Sequence, residues 1–435
     1  MLLETHKRSD SHKALLNRAA KLLPGGTLGM FGLPAELAIV PAYGRGAKLY
    51  DVDGNEYVDY LLGSGPLILG HAHPAVVEAV QQQAAKASTF YYVNEPALEL
   101  AELITSAVPC AEKIRFCSSG NEATFFALRL ARAHTGREKV LKFEGAFHGV
   151  HDYAALSVWP TADYSSPDPK VESAGIPKGA SDTVMMAPFN DVETTAAIIE
   201  ANQGDLSAVI VEPFQRSYPP RPGFLPFLRD ITTKYGIDLI FDEVVTGFRF
   251  AWGGAQERYG VVPDLACFGK IIGGGYPLAA VAGRDEIMSQ CDNSRKGSPG
   301  YVYMTGTLSG NPVAAAAGVA TLKELRGKNL YARINQSTTR MKSGLQSMFA
   351  DAGVVAQVTG EGGVLQVVFT DREIVNYQDI RSGDVSKALT FYGTASLNGL
   401  FLGVPDKIYI SAVHTDEDIE IGLRAFRAGV EALVG

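Results

Sequence analysis

The spacing of apolar positions divides this chain into regions of different character. Residues 12–22, HKALLNRAAKL, repeat apolar side chains at helical spacing, and Pro24-Gly25-Gly26 stops that helix. Residues 48–60, KLYDVDGNEYVDY, alternate instead about Asp53-Gly54, a dipeptide suited to a hairpin turn. Residues 74–86 and 96–107 return to helical spacing. From about residue 112 short apolar runs alternate with helix-length stretches. The runs are KIRFC (113–117), KVLKF (139–143), AVIVE (208–212), DLIFDE (238–243) and LACFG (265–269). Helical segments such as 122–133 and 224–235 fall between them. This alternation predicts an α/β fold, a mostly parallel sheet with helices on both faces. In such sheets ligands bind beyond the carboxyl ends of the strands.

After about residue 315 two long helical stretches precede GGVLQVVFT, a helix near 383–395, KIYISA and a last helix from Asp416, which reads as a smaller α+β domain. The expected division is an N-terminal segment, 1–75, that contributes to the small domain, a large domain over 76–315 and a C-terminal small domain over 316–435. Residues 158–182 carry few signals of order; a loop of that length is either functional or a plain surface excursion.

Composition narrows the classes. The 435 residues are 46% hydrophobic and 20% charged, ordinary for a globular protein and against large-scale disorder. The net charge of −8 is interspersed, with no clustered basic face for nucleic acid. The N-terminus, MLLETHKRSDSHK, is too charged for a signal peptide, and the uncharged stretch 297–322 is too broken for a membrane span. Cys110, Cys117, Cys267 and Cys291 have no CxxC spacing, which points to free thiols and a cytoplasmic location.

Three strand ends carry candidate chemistry. After KIRFC, Ser118-Ser119-Gly120-Asn121 leads into a helix: either a plain serine N-cap or a phosphate cup of backbone amides. After DLIF stand Asp242-Glu243, two carboxylates without the histidines a metal site would want; His148 and His151 lie elsewhere with unhelpful spacing, and no metal is expected. After LACFG stands Lys270. Ile271 follows where a Walker A loop needs Ser or Thr, so a nucleotide loop is excluded. Alone, Lys270 reads best as a snorkelling surface residue. In apolar surroundings a lysine can instead lose its proton and become nucleophilic. Cup, aspartate and lysine together are the parts needed for pyridoxal phosphate.

The motifs FCSSGNEA (116–123), FEGAFHG (143–149), VEP (211–213), FDEVVTGFR (241–249), PDLACFGKIIGGGYP (263–277) and GTLSGNP (306–312) occur in that order. Together they resemble class III pyridoxal-phosphate aminotransferases of fold type I, and DVDGNEYVDY, GHAHP and VHTDEDIE resemble the glutamate-1-semialdehyde 2,1-aminomutase subgroup. The resemblance implies a large domain with a seven-stranded-type sheet and a small domain built from both termini. It implies pyridoxal 5′-phosphate bound as an aldimine with Lys270, with pyridoxamine phosphate as intermediate. Asp242 would pair with the pyridinium nitrogen. Val244 and Phe147 would flank the ring, with His148 beside them. Ser119, Gly120 and Asn121 would form the cup. Thr307 would reach the phosphate of a neighbouring subunit, so a homodimer with shared sites is implied. Glu212 matches a carboxylate behind the site. Gly273, Gly274 and Gly275 would bend the backbone closely around it.

The departures are Phe147 where relatives usually carry Tyr, Asn121 where the cup usually has Thr, and Gly32 where the aminomutases carry the arginine that binds the substrate carboxylate. Losing that fork points away from the aminomutase. The expected activity is therefore a transaminase between a small-molecule amine or amino-acid donor and a carbonyl acceptor. Met30, Phe31, Tyr91 and Tyr92 would make its pocket apolar and suited to aromatic or bulky donors, unless these aromatics pack a dimer interface instead. The alternative is the aminomutase itself, with another residue, such as Arg249, holding the carboxylate. More distant are racemase or decarboxylase chemistry and a non-catalytic scaffold.

Overall fold

The computed structural model describes residues 8–29, 32–160, 167–327 and 329–435. The chain divides into two compact units. A smaller unit comprises the chain up to Pro74 with Leu330–Glu373 and Ser382–Gly435; a larger one comprises Ala75–Asn329 and Ile374–Arg381.

The smaller unit begins with a helix, Asp10–Leu22, followed by strands β1 (Pro41–Arg45), β2 (Lys48–Asp51) and β3 (Glu56–Asp59). The turn between β2 and β3 is tied by Asp51, whose carboxylate accepts the amides of Asp53 and Asn55 and the hydroxyl of Tyr57. The larger unit holds β4 (Lys113–Cys117), β5 (Lys139–Phe143), β6 (Val184–Ala187), β7 (Leu206–Val211), β8 (Asp238–Asp242), β9 (Leu265–Phe268) and β10 (Ala279–Gly283). The smaller unit is completed by β11 (Gln357–Glu361), β12 (Val364–Val368), β13 (Leu400–Phe401) and β14 (Ile408–Tyr409), with helices Leu330–Asp351, Val385–Leu397 and Asp416–Val434. Its sheets run β1-β2-β3-β13 and β11-β12-β14. Tyr60, Phe349, Phe369, Phe391, Tyr392 and Phe426 fill its core.

The seven-stranded sheet of the larger unit has the order β4-β10-β9-β8-β7-β5-β6. The inner pairs from β6 to β9 are parallel, and β10 runs antiparallel to both β9 and β4. β4 therefore points the same way as β9, and the carboxyl ends of β4, β5, β7, β8 and β9 share one edge. Two strands escape the sequence pattern. β6 reads VMMA and β10 reads AAVAG, both fully buried; methionine, alanine and glycine carry little strand signal of their own. The helix Gly120–Thr135 packs across β7 to β10, with Ala123, Ala127, Leu130 and Ala131 in the core beneath it. Short alanines let that helix lie close to the sheet. All four cysteines are free and buried. Among the described residues no helix is long and apolar enough to cross a membrane.

Candidate functional site

The shared carboxyl edge gathers the residues singled out above. Register sets Asp242, the last residue of β8, opposite Cys267 of β9, three positions before Lys270. Asp242 is 5% exposed. One oxygen accepts from His148 Nδ1 at 2.8 Å, the other from the amide of Val244 at 3.1 Å. An imidazole protonated on Nδ1 donates to this carboxylate and fixes its orientation. The neighbouring Glu243 faces away. Its carboxylate accepts from Thr246, the amide of Ala255 and Gln256, and burial pushes its pKa up to about 7.

The loop after β5, residues 144–157, carries Phe147 and His148 and is clasped from several sides. Glu212, just beyond β7, accepts the Phe147 amide on one oxygen at 2.6 Å and the Arg216 amide on the other at 3.0 Å. The Asn121 side-chain oxygen accepts the amides of Val150 and His151 at 2.6 and 3.1 Å. Thr124 donates to the carbonyl of His148 at 2.5 Å. Lys142 lies inside the sheet layer, 1% exposed, and donates to the carbonyls of Ala146, Ala154 and Leu156 at 3.3, 2.8 and 2.6 Å. Burial and the Arg216 charge pull its pKa down to about 7. The reading of the sequence missed Lys142, Thr124 and Arg216. For Lys142 a signal was present, a lysine inside an apolar run, as at Lys270.

The N-terminus of the helix Gly120–Thr135 combines both readings of its letters. Ser119 caps it, and Glu122 closes a capping box by accepting the amides of Ser118 and Ser119 at 2.8 and 2.9 Å. The amides of Gly120 and Asn121 stay among the first-turn donors that an α-helix leaves without an internal acceptor. A Cβ at Gly120 would lie 3.1 Å from the Val244 side chain, and one at Gly269 would lie 3.4 Å from it. Val244 thus packs against both the cup and the residue before Lys270. Lys270 is half-buried and adopts a left-handed φ of 49° at the start of a short 3₁₀ turn. A non-glycine residue in that region is strained, which is common at functional positions. Gly274, also left-handed, makes a close approach to a helix: a Cβ there would meet the Ala317 carbonyl at 2.7 Å.

Tyr91 and Tyr92 are 67% and 81% exposed and line an open cleft of about 760 Å³ with Tyr301, Tyr303 and Gly306. Thr307 is exposed, on the turn that follows Gly306. Phe147, Asp242 and Lys270 are not among that cleft's walls. Met30 and Phe31 lie outside the described residues; Gly32, next to them, is exposed. Arg249 is 1% exposed, with its Nε donating to the Val245 carbonyl, and so sits inside the protein. Among the described residues, His12, Asp51 and Asp53 bring metal-ligand atoms within 4.8 Å of one another. Their atoms already serve the β2–β3 turn and the first helix.

A buried, histidine-supported aspartate, a helix start with open amides and a strained lysine on one sheet edge are the groups that pyridoxal-phosphate chemistry calls for. The family model for class III aminotransferases matches residues 34–427, and the chain belongs to that family. It is 42% identical to the glutamate-1-semialdehyde 2,1-aminomutase of Methanothermobacter thermautotrophicus, over 94% of this chain and 96% of that protein. Among solved structures it is similar to an omega-transaminase from Sphaerobacter thermophilus, with TM-score 0.93 and 34% identity over 99% of both chains. It is also similar to a transaminase with pyridoxal phosphate bound, with TM-score 0.90 and 29% identity over 98% of this chain and 99% of that one. The fold is that of fold type I, and the cofactor is pyridoxal 5′-phosphate. The edge fits it: Asp242 offers a carboxylate to a cationic ring nitrogen, and the amides of Gly120 and Asn121 suit a phosphate.

One expectation is corrected. Full-length relatives near 40% identity carry the aminomutase name, which overturns the reading of the chain as an intermolecular transaminase for apolar donors. That reading leaned on the missing arginine at Gly32, and one absent side chain in a loop is weak against similarity over the whole fold.

Proposed function

We propose that the protein converts glutamate-1-semialdehyde to 5-aminolevulinate by intramolecular amino transfer. The observation that carries this reading is the match of nearly the entire chain to aminomutases at about 40% identity. Bound pyridoxal phosphate supplies an electron sink that stabilises negative charge at the carbon losing a proton. Lys270 is the covalent anchor and, once displaced, its Nζ moves protons at the reacting carbons, as base and then as acid. Asp242, supported by the Nδ1 proton of His148, is the partner of the ring nitrogen. Phe147 and Val244 flank the ring, and Glu212 fixes Phe147 through its amide. Ser119, Gly120 and Asn121 form the phosphate cup, with the Asn121 side chain serving the neighbouring loop.

Thr307 belongs to the phosphate site of a partner subunit in a homodimer. Phe90, Tyr91, Tyr92, Val93, Tyr303 and Leu308 are all exposed and supply an apolar face suited to that contact. Buried free thiols suit the cytoplasm.

The test is incubation of the cofactor-loaded protein with glutamate-1-semialdehyde and no added amino acceptor. Many equivalents of 5-aminolevulinate per subunit are expected. Product that forms only when an amino donor or acceptor is added overturns the reading.

A further inference from the structure

An aminomutase substrate carries a carboxylate, and the position where relatives bind it is Gly32 here. We propose that Arg216, on the loop after β7, supplies the carboxylate-binding group of the site. This rests on the reading of the site given above.

Four observations converge on Arg216. First, its place is set by the residue that sets Phe147: the two oxygens of Glu212 accept the amides of Phe147 and Arg216, so ring and guanidinium are held by one carboxylate. Second, the guanidinium carbon lies 5.6 Å from the centre of the Phe147 ring and 5.2 Å from that of Trp159. Two aromatic faces thus flank a half-buried cation beside the cofactor edge. Third, its donors are only partly used. Nε donates to the Gly145 carbonyl at 2.6 Å, and Nη2 reaches the Val158 carbonyl at a long 3.4 Å. Among the described residues Nη1 has no hydrogen-bond partner, and no carboxylate lies within ion-pair distance of the guanidinium. Anchoring Nε orients the fork and leaves its outer edge for a ligand. Fourth, Arg216 has a left-handed φ of 57°. A long side chain pays for that conformation in strain, and here the chain holds it by the bond to Glu212.

The comparison with Arg249 sharpens the assignment. Arg249 is packed inside the protein, whereas Arg216 is half-buried and borders Phe147. A carboxylate received by Arg216 makes charge-assisted, two-point hydrogen bonds, which fixes the distance between the substrate's acid end and its reacting carbons.

The experiment compares two probes on cofactor-loaded protein: 4-aminobutanoate and butylamine, which differ in the carboxylate. Binding is read as the change in the visible cofactor band and by calorimetry. Arg216→Gln and Arg216→Lys share the left-handed backbone demand of Arg216, so neither changes the cost of the loop. Arg216→Gln should raise the Kd for 4-aminobutanoate by about 30-fold or more and leave that for butylamine within about three-fold. Arg216→Lys keeps the charge without the fork and should fall between. If Arg216→Gln does not fold, the selective loss must still appear in Arg216→Lys. Equal weakening of both probes in either variant, or of neither, overturns the proposal. A selective loss in the variants, together with wild-type protein that fails to isomerise glutamate-1-semialdehyde, refutes the aminomutase reading while supporting the carboxylate site.

Discussion

The centre of the smaller unit and the carboxyl edge of the large sheet are both buried, but they bury opposite things. The first is a cluster of rings: Phe349, Phe369 and Phe391 meet with centroids 5.4 to 5.7 Å apart, and Phe391 stacks on Phe426 at 5.3 Å. The second is a layer of charge-bearing groups, Lys142, His148, Glu212, Asp242 and Glu243, each fixed by named partners. Apolar packing is non-directional and gains with area, so it holds the chain together. Buried polar groups recover their lost hydration only when their partners are placed correctly. Their return is orientation, which the chemistry at Lys270 needs.

The contrast can be broken from either side. The largest effect is expected at Lys270. Lys270→Ala should lower kcat by about 10⁴-fold or more, since the proposed anchor and the proposed base are lost together. Its thermal midpoint should move by only a few degrees. Next is Phe391→Ala in the ring cluster, which should cost about 3–5 kcal/mol in urea unfolding while folded molecules keep the cofactor band. A variant of Phe391 with unchanged stability would dissolve the distinction.

The smallest effect probes a polar residue inside the apolar core. His414 stacks on Tyr60 at 4.6 Å and accepts the Ser411 amide at 3.0 Å. Burial lowers its pKa to about 4, against the opposing pull of Asp418 and Asp59. It is neutral in the folded chain, while the unfolded chain takes up a proton near pH 6.5. Its contribution is therefore present above pH 6.5 and fades as pH falls toward 4. His414→Gln should flatten that part of the stability profile, and an unchanged slope would assign it to other groups.

Much of this was readable along the chain. The hairpin at Asp53-Gly54, the strand ends before Ser119 and at Asp242, and the lysine after LACFG are local patterns, and local patterns survive in one dimension. β6 and β10 were not, because each is a short buried strand with a single valine among methionine, alanine or glycine, and neither alternates. The role of Asn121 was also hidden. Its letter stands in the cup, but its oxygen serves amides 29 and 30 residues away. The same limit misled the functional reading. A missing arginine at Gly32 is visible at its own position, whereas Arg216, after β7, comes beside Phe147, after β5, through Glu212 and the Gly145 carbonyl.

Lys142 has a consequence in time as well as in space. It ties carbonyls from three points of the loop to β5, a strand paired on both sides, and Gly145 closes the same loop by donating to Ser157. Opening that loop alone would break all of these bonds at once and strand an ammonium in the sheet layer. Its amides should therefore exchange with solvent deuterium at the pace of whole-unit unfolding rather than of surface fluctuation. Phe147 and His148 would then share the lifetime of the sheet, not that of a loop.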